Sequence, residues 1–474
     1  MISLRNQPSA GAWSVAVALL ERWLRGRDRL DALMEAPGLQ AVGGWHGAER
    51  ARCQHLLFGA VRHHGRLAAA VDALVPKPPR ARLRAALLVA GFELLEAGAA
   101  PSESGQAARV VHHAVGQAKG LLSPAEARLV NAVLRKLARA PELHGAMPPA
   151  EADAAELARF FSHPEWLVRR WREHFGVAPA RRLLEWNQSP PSVCGRWRGP
   201  GNAPAWLRAM PWPGFFVIPA GHWEEVERWL AEGVLYLQNP ATQLAAELLD
   251  PRPGETVLDL CAAPGGKSLL LADLLAARAG HPSAGVSSVP PVAGVAAAGG
   301  IVAVDLPDRR RIGRLRENLA KVRAVEISLI QADVRALSPA FLKAQHLPAA
   351  YDAVLLDAPC SNTGVIRHRV DVKWRLREAD VAKHAAQQLA LLTAAAGLVA
   401  GTGPGSAGAP SAAAEAGGRL VYSTCSLEPE ENEGVIDSFL RASGGRFVLE
   451  QTRSARPWET ECDGGSAFLL RRVR

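Results

Sequence analysis

The sequence predicts a multidomain protein: all-α over its first third, a small mixed α+β stretch in the middle, and a doubly wound α/β domain over the remainder. Three observations carry this. The 474 residues supply, at roughly 150 per domain, about three compact units. Apolar residues recur at three- and four-residue spacing through 11–140, as in Leu56, Leu57, Ala60 and Val61, then Leu67, Val71 and Leu74, the period of helices packed on one face. From Glu255 onward short apolar runs bounded by Gly, Pro or Asp alternate with helical stretches, the rhythm of a mostly parallel sheet. Hydrophobic residues at 48% and charged residues at 21% fit a globular chain and exclude wholesale disorder, collagen or a coiled-coil rod.

Taken in order, Pro76-Lys77-Pro78-Pro79 separates two helices, and Ser123-Pro124-Ala125-Glu126 has the form of a helix start, with Ser as cap and Glu reaching back. Residues 1–140 form the helical domain and 141–154, rich in Pro, Ala and Gly, the expected linker. A Trp- and Arg-rich helical segment runs from His163 to Gln188, and short mixed pieces occupy Pro190 to Leu237, giving an expected subdomain over 155–237. The α/β domain covers 238–474, with strands expected at 256–260, 301–305, 327–330, 351–356 and 419–422. The stretches 279–300 and 401–417, rich in Ala, Gly, Ser and Pro, are expected as flexible surface insertions.

The net charge of +9 lies wholly in residues 1–140. A basic segment ahead of a neutral body suits a polyanionic partner, and on charge alone a solvated Arg-rich helix face suits it equally. The apolar run from Trp13 to Leu20 is too short to span a bilayer. We expect a cytoplasmic protein with no membrane partner. Six scattered cysteines (Cys53, Cys194, Cys261, Cys360, Cys425, Cys462) contain no C-x-x-C pair, so free thiols are expected, with neither a disulfide framework nor a bound metal.

The chemistry-bearing residues sit where strands end. The first strand runs into Asp259-Leu-Cys261-Ala262-Ala263-Pro264-Gly265-Gly266-Lys267, a small-residue turn opening a helix, which lets a ligand approach the backbone and favours an anionic group. It is neither G-x-G-x-x-G nor G-x-x-x-x-G-K-[ST], and a turn that merely packs remains open. Asp305 ends the second strand, where an acid can hold ribose hydroxyls, and Asp333 follows the third, near where an adenine edge would lie. Singly, such acids are more often helix caps; in sequence they suggest an adenosine-containing cofactor. Cys360, in Asp357-Ala358-Pro359-Cys360-Ser361, and Cys425, in Thr424-Cys425-Ser426, end neighbouring strands. Each alone is as well read as a buried small hydrophobe, whereas a pair so placed can present a thiolate to a reactive group.

Together the run D-L-C-A-A-P-G-G-K, the motif D-A-P-C-S, and T-C-S followed by Pro429-Glu430-Glu431-Asn432 resemble the bacterial RNA cytosine-5 methyltransferases of the RsmB/Sun type over most of residues 155–474. Residues 11–140, with Gly59-Ala-Val-Arg62 and Val130-Asn-Ala-Val-Leu-Arg135, resemble the NusB-like helical RNA-binding domain that precedes them. The resemblance implies a Rossmann-like catalytic domain that uses S-adenosylmethionine to methylate carbon 5 of a cytosine in 16S ribosomal RNA. It further implies RNA rather than DNA as partner and a monomeric state. It makes Cys425 the nucleophile, Cys360 the group that assists release, and Asp357 the residue that hydrogen-bonds the base. Around the cofactor it places Cys261, Ala262, Ala263, Pro264, Gly265, Gly266 and Lys267 at the methionine end, with Asp305 on the ribose, Asp333 near the adenine and Asp357 close to the methyl. Arg310 matches a family arginine expected to fix the acidic turn. Transfer RNA methylation and a non-catalytic RNA-binding assembly or antitermination factor are the alternatives.

Two stretches depart from the family pattern. His368-Arg369-Val370-Asp371-Val372-Lys373-Trp374 lacks the usual proline but keeps Asp371, Lys373 and Trp374, expected in an RNA-facing loop. Val193-Cys-Gly-Arg-Trp197 replaces the family's Leu-Arg-x-Asn signature.

Overall fold

The computed structural model describes residues 11–36, 47–99, 105–280, 300–402 and 417–474. It divides into two compact units, one of residues up to Pro190 together with Ile366–Glu378, the other of Pro191–Val365 and Ala379–Arg474. The chain passes from one unit to the other at 190/191. Residues 281–299 and 403–416, the bulk of the two expected insertions, lie outside the described residues.

The first unit is helical throughout. Its long helices span Ala12–Gly26, Ala48–Arg62, His64–Leu74, Ala81–Ala99, Gln106–Leu121 and Pro124–Leu137. Ala85 through Ala90 are all buried, so the middle of the helix Ala81–Ala99 is covered on every side and lies at the centre of the bundle. Leu19, Leu20, Leu56, Leu57, Val130 and Leu134 pack in the same core. The capping box read at Ser123 is present: Ser123 Oγ accepts from the Glu126 amide, and the Glu126 carboxylate accepts from the Ser123 amide.

Residues 141–154 are not a free linker. They hold a short helix, Pro141–His144, with Leu143 buried, and the Pro148 carbonyl accepts from Arg181 at 2.6 Å. The helices Ala154–Phe160, Glu165–Phe175 and Val177–Gln188 belong to this same unit, because their apolar stripes (Leu157, Leu167, Val168, Leu183, Leu184) need a partner surface.

The segment expected to face RNA is also part of this unit. Val370 and Lys373 are fully buried and Asp371 nearly so. Lys373 Nζ donates to the Arg62 carbonyl at 2.9 Å and Trp374 Nε1 to that of Val61 at 2.9 Å. Asp371, Lys373 and Trp374 thus close the helical core instead of lining a free loop, since the apolar Val370 and Trp374 carry the polar residues between them inward.

The second unit holds two sheets. The small one is antiparallel, in order β2 (Arg208–Ala209), β3 (Phe215–Val217), β1 (Cys194–Trp197), β4 (Leu235–Leu237), with the helix Trp223–Glu232. The large one has seven strands in the order β10-β11-β9-β8-β5-β6-β7. Its parallel part, β5 (Thr256–Leu260), β6 (Gly300–Asp305), β7 (Glu326–Gln331), β8 (Ala353–Asp357) and β9 (Arg419–Thr424), comprises the five expected strands. The antiparallel pair β10 (Phe447–Ala455) and β11 (Gly465–Arg472) extends it beyond β9.

Alternate residues feed opposite faces. Leu258, Val302, Val354 and Leu356 pack with Leu391, Leu392 and Phe439, while Val257, Ile301, Ala353 and Leu355 pack with Leu248, Leu271 and Leu275. Both faces are covered, which is why these strands read as continuous apolar runs. The chain builds β5, β6 and β7 outward in one direction and then returns to add β8 on the other side of β5. The reversal leaves a crevice beyond the carboxyl ends of β5 and β8, where ligands bind in such sheets. Among the described residues no helix is long and apolar enough to cross a membrane, and no His, Cys, Asp and Glu cluster is suited to a metal ion.

Candidate active site

At the end of β5 the chain turns sharply. Cys261 adopts φ +61° and Gly265 φ +107°, left-handed values that cost a side chain strain and that glycine takes freely. A Cβ at Gly265 would lie 3.1 Å from Leu315 Cδ1. The helix Gly266–Arg278 starts there; its first amides lack partners within the helix, and its first two residues line the crevice. The turn is held by Asp305, whose carboxylate accepts from the Ala263 amide at 2.8 Å.

The crevice contains a cavity of about 230 Å³ lined by Tyr236, Gln238, Asn239, Thr242, Asp259, Lys267 and Asp357 together with Cys261–Pro264 and Gly266. Lys267 Nζ donates to Asp357 at 2.7 Å, and Ser423 Oγ donates to the other Asp357 oxygen at 2.9 Å. Burial favours a neutral Lys267 amine, but the Asp357 carboxylate outweighs it and holds the ammonium form above its usual range. Asp259 is fully buried; Ser268 Oγ donates to one of its oxygens at 2.5 Å, while the other is buried without a hydrogen-bond partner. Burial raises its pKa to about 7. An orphaned carboxylate oxygen, an ammonium and free helix amides around one cavity match the ammonium and carboxylate groups of an amino acid. The residues present therefore fit the methionine end of S-adenosylmethionine.

The acids expected at the adenosine end stand at successive strand ends but do not line this cavity. Asp305 is held by two hydrogen bonds from Arg311, both 2.9 Å. Arg310 is not its partner: Asp308 caps the helix Arg309–Leu319, accepting from the Arg310 and Arg311 amides, and the helical turn then brings only the third of three successive arginines back over β6. Asp333 caps the short turn Val334–Ala336 and is bound by the Arg335 guanidinium, whose hydrogen bonds lower its pKa.

The two cysteine loops meet at the ends of β8 and β9. Cys360 Sγ and Cys425 Sγ are 3.1 Å apart. Cys360 is buried, and its hydrogen bond with Cys425 together with burial holds its pKa well above the usual thiol range. Cys425 is partly exposed and lines a second cavity of about 130 Å³ with Ser423, Thr424, Asp463 and Gly464. Asn239, Thr242 and Lys267 line both cavities. Burial and the nearby Asp305 and Asp357 push Cys261 to about 12, which leaves it an inert thiol.

Several residues here carry no strand-end signal. Tyr236, Gln238 and Asn239 come from the end of β4, and Gln238 Nε2 donates to the Gly266 carbonyl at 3.1 Å. The small sheet is anchored by Arg196 and Arg198, both buried, which donate to Asp273 at 2.5, 2.8 and 2.9 Å. Arg196 lies in the stretch that departs from the family signature, and an Arg-x-Arg pair facing a helical Asp was the sequence signal available.

Comparison with known proteins agrees with this architecture. Residues 12–139 match the NusB family model, and 246–285 and 290–461 match that of the 16S rRNA methyltransferase RsmB/F family. The ribosomal RNA small subunit methyltransferase B of Serratia proteamaculans is 29% identical over 90% of this chain and 91% of its own length. That of Salmonella paratyphi B is 29% identical over 88% of each. The crystal structure of PH0851 shares the fold with a TM-score of 0.69 at 23% identity, over 98% of this chain and 100% of that one. The chain thus joins a part that matches the NusB family to a part that matches the RsmB/F methyltransferases, and it is an S-adenosylmethionine-dependent RNA methyltransferase.

Proposed function

We propose that the protein methylates carbon 5 of a cytosine in 16S ribosomal RNA through a transient bond between Cys425 and carbon 6 of the base. Carbon 5 of cytosine is too weak a nucleophile to attack a methyl donor directly; adding a thiolate at carbon 6 makes it enamine-like. The observation that carries this reading is the Cys425 sulfur, which lines a cavity sharing Lys267, Asn239 and Thr242 with the cofactor crevice. In this reading the Lys267 ammonium draws negative charge to that wall. Asp357, oriented by Lys267 and Ser423, hydrogen-bonds the base as charge develops. Bound S-adenosylmethionine supplies an electrophilic methyl group. Once carbon 5 carries the methyl group, its proton is lost to a base as the carbon 6–sulfur bond breaks and the Cys425 thiolate leaves, a release assisted by Cys360, 3.1 Å from Cys425. Residues 261–267 hold the methionine end, and Asp305 and Asp333 serve the adenosine end. The name shared by the relatives, a small-subunit ribosomal RNA methyltransferase, supports ribosomal over transfer RNA.

Cys425→Ala is expected to abolish methylation, and Cys360→Ala to accumulate a covalent protein–RNA adduct on denaturing gels. Full turnover by Cys425→Ala would refute the mechanism. Bisulfite sequencing of 16S and transfer RNA from a deletion strain identifies the substrate, and loss of 5-methylcytosine from transfer RNA alone would overturn the ribosomal assignment.

A further inference from the structure

The Pro429-Glu430-Glu431-Asn432 run follows the Cys425 loop, yet none of the chemistry above uses it. Glu431 is fully buried. One carboxylate oxygen accepts from the Ser361 amide at 2.9 Å and from Gln388 Nε2 at 2.8 Å; the other accepts from Ser426 Oγ at 2.9 Å. Ser361 directly follows Cys360 and Ser426 directly follows Cys425. Gln388 Nε2 also donates to the Pro359 carbonyl at 3.0 Å, so the same side chain grips the peptide on the other side of Cys360. The Glu431 carbonyl accepts from Tyr422 Oη at 2.6 Å. Asn432 continues the clamp: it accepts from Thr424 Oγ1 at 2.7 Å and donates to the Ser426 and Glu428 carbonyls, both at 3.1 Å.

We propose that Glu431 is a positioning residue for the reaction, clamping the Cys360 loop to the Cys425 loop so that the two sulfurs meet the base as an ordered pair. The inference rests on the two-cysteine reading given above. The Ser361 amide and Gln388 Nε2 donate to one oxygen and Ser426 Oγ to the other, so the carboxylate accepts at both ends. A glutamine keeps the size and one acceptor and removes the charge. The carboxylate's field acts in the same direction as the Cys425 hydrogen bond and the burial that hold the Cys360 sulfur as a thiol. Glu431 thus adds to a difference that burial already sets between the two cysteines, favouring the thiol at the buried one.

The test uses the full chain and Glu431→Gln. Peptide mapping after iodoacetamide treatment between pH 6 and 10 reads each thiol, and methylation assays give kcat and KM separately. We expect KM for S-adenosylmethionine and RNA within about twofold of wild type and kcat reduced at least tenfold. We also expect Cys360 alkylation to rise at least fivefold relative to Cys425, its pH profile moving to lower pH. A purely structural role would lower the fraction folded without moving that profile. Unchanged kcat, or an unchanged Cys360 profile in a folded variant, overturns the proposal. Should Glu431→Gln fail to fold, Ser426→Ala, which removes one donor and keeps the charge, carries the test: kcat falls three- to tenfold at constant KM, and wild-type kcat refutes the clamp. Thiol mapping needs no RNA, so it reports on Glu431 even if Cys425→Ala shows the two-cysteine reading to be wrong.

Discussion

Gly364, in the short turn Thr363–Val365, is where backbone from three loops converges on the active site. Its amide donates to the Cys425 carbonyl at 3.0 Å, and its carbonyl accepts from the Gly464 amide at 2.8 Å. A Cβ built there lies 2.5 Å from the Gly464 oxygen and 2.7 Å from the Cys425 oxygen. Gly364 has no left-handed φ, so the demand is purely for space. Because both obstacles are backbone, no side-chain rotation relieves them, and in Gly364→Ala the loops must part by more than half an ångström. Overpacking of this kind costs about 1–3 kcal/mol, and weakening two buried backbone hydrogen bonds adds about 1–2 kcal/mol. The Cys425 carbonyl moves with its sulfur, and a displacement approaching 1 Å lowers a positioned reaction by roughly a hundredfold. Urea denaturation should show a loss of about 2–5 kcal/mol, and single-turnover assays a drop in adduct formation with S-adenosylmethionine binding retained. A variant with wild-type stability and adduct formation within twofold of wild type would refute the reasoning.

Four further outcomes follow from the structure. Between pH 3.8 and about 7 folded Asp259 keeps a proton that the unfolded chain releases, so stability falls as pH rises through that window and levels off above it. Asp259→Asn should lose this slope, worth up to about 4 kcal/mol over the window, and an identical slope in both proteins would refute the assignment. Lys373 is buried and its ammonium is disfavoured by desolvation and by Arg62; wild-type stability therefore falls as pH drops below the unfolded lysine value near 10.5. Lys373→Met should be at least as stable at pH 7, its advantage shrinking toward pH 10, and a variant markedly less stable at pH 7 by urea denaturation would contradict this. Asp273→Ala leaves Arg196 and Arg198 buried without their carboxylate and should destabilise the second unit by about 3–5 kcal/mol, seen as faster proteolysis in 194–237; unchanged digestion would argue against the anchor. Gly116, in the helix Gln106–Leu121, has open space around its Cβ position, so Gly116→Ala should stabilise by about 1 kcal/mol, and a lower melting temperature would refute that.

How much was legible beforehand depended on how local each cause was. The five parallel strands, the capping box at Ser123 and the helical first third depend on period, turn residues and neighbours within a few positions, and all appear where expected. The strand β10 escaped notice because it is exposed along most of its length and has no continuous apolar run; β11, whose buried run Ala467–Leu470 did carry a signal, was missed with it. The run 141–154 read as a linker because Pro, Gly and Ala signal a loop, whereas Leu143 and the Pro148 carbonyl are secured by residues distant in sequence. Arg311 could not be told from Arg310 until the helix start at Asp308 set the phase of the turn.

The amino-acid sequence by itself determined the order of elements, the family and which residues stand at strand ends, since these follow from hydrophobic period and contiguous motifs. Only the tertiary structure decided which of those residues meet. The return of the chain across β5 sets Asp357 against Lys267, and the buried Glu431 carboxylate gathers donors 70 and 43 residues away to bring two thiols within 3.1 Å. Charge neutralisation and hydrogen-bond satisfaction inside a dry core are properties of the packed chain, and no local stretch contains them.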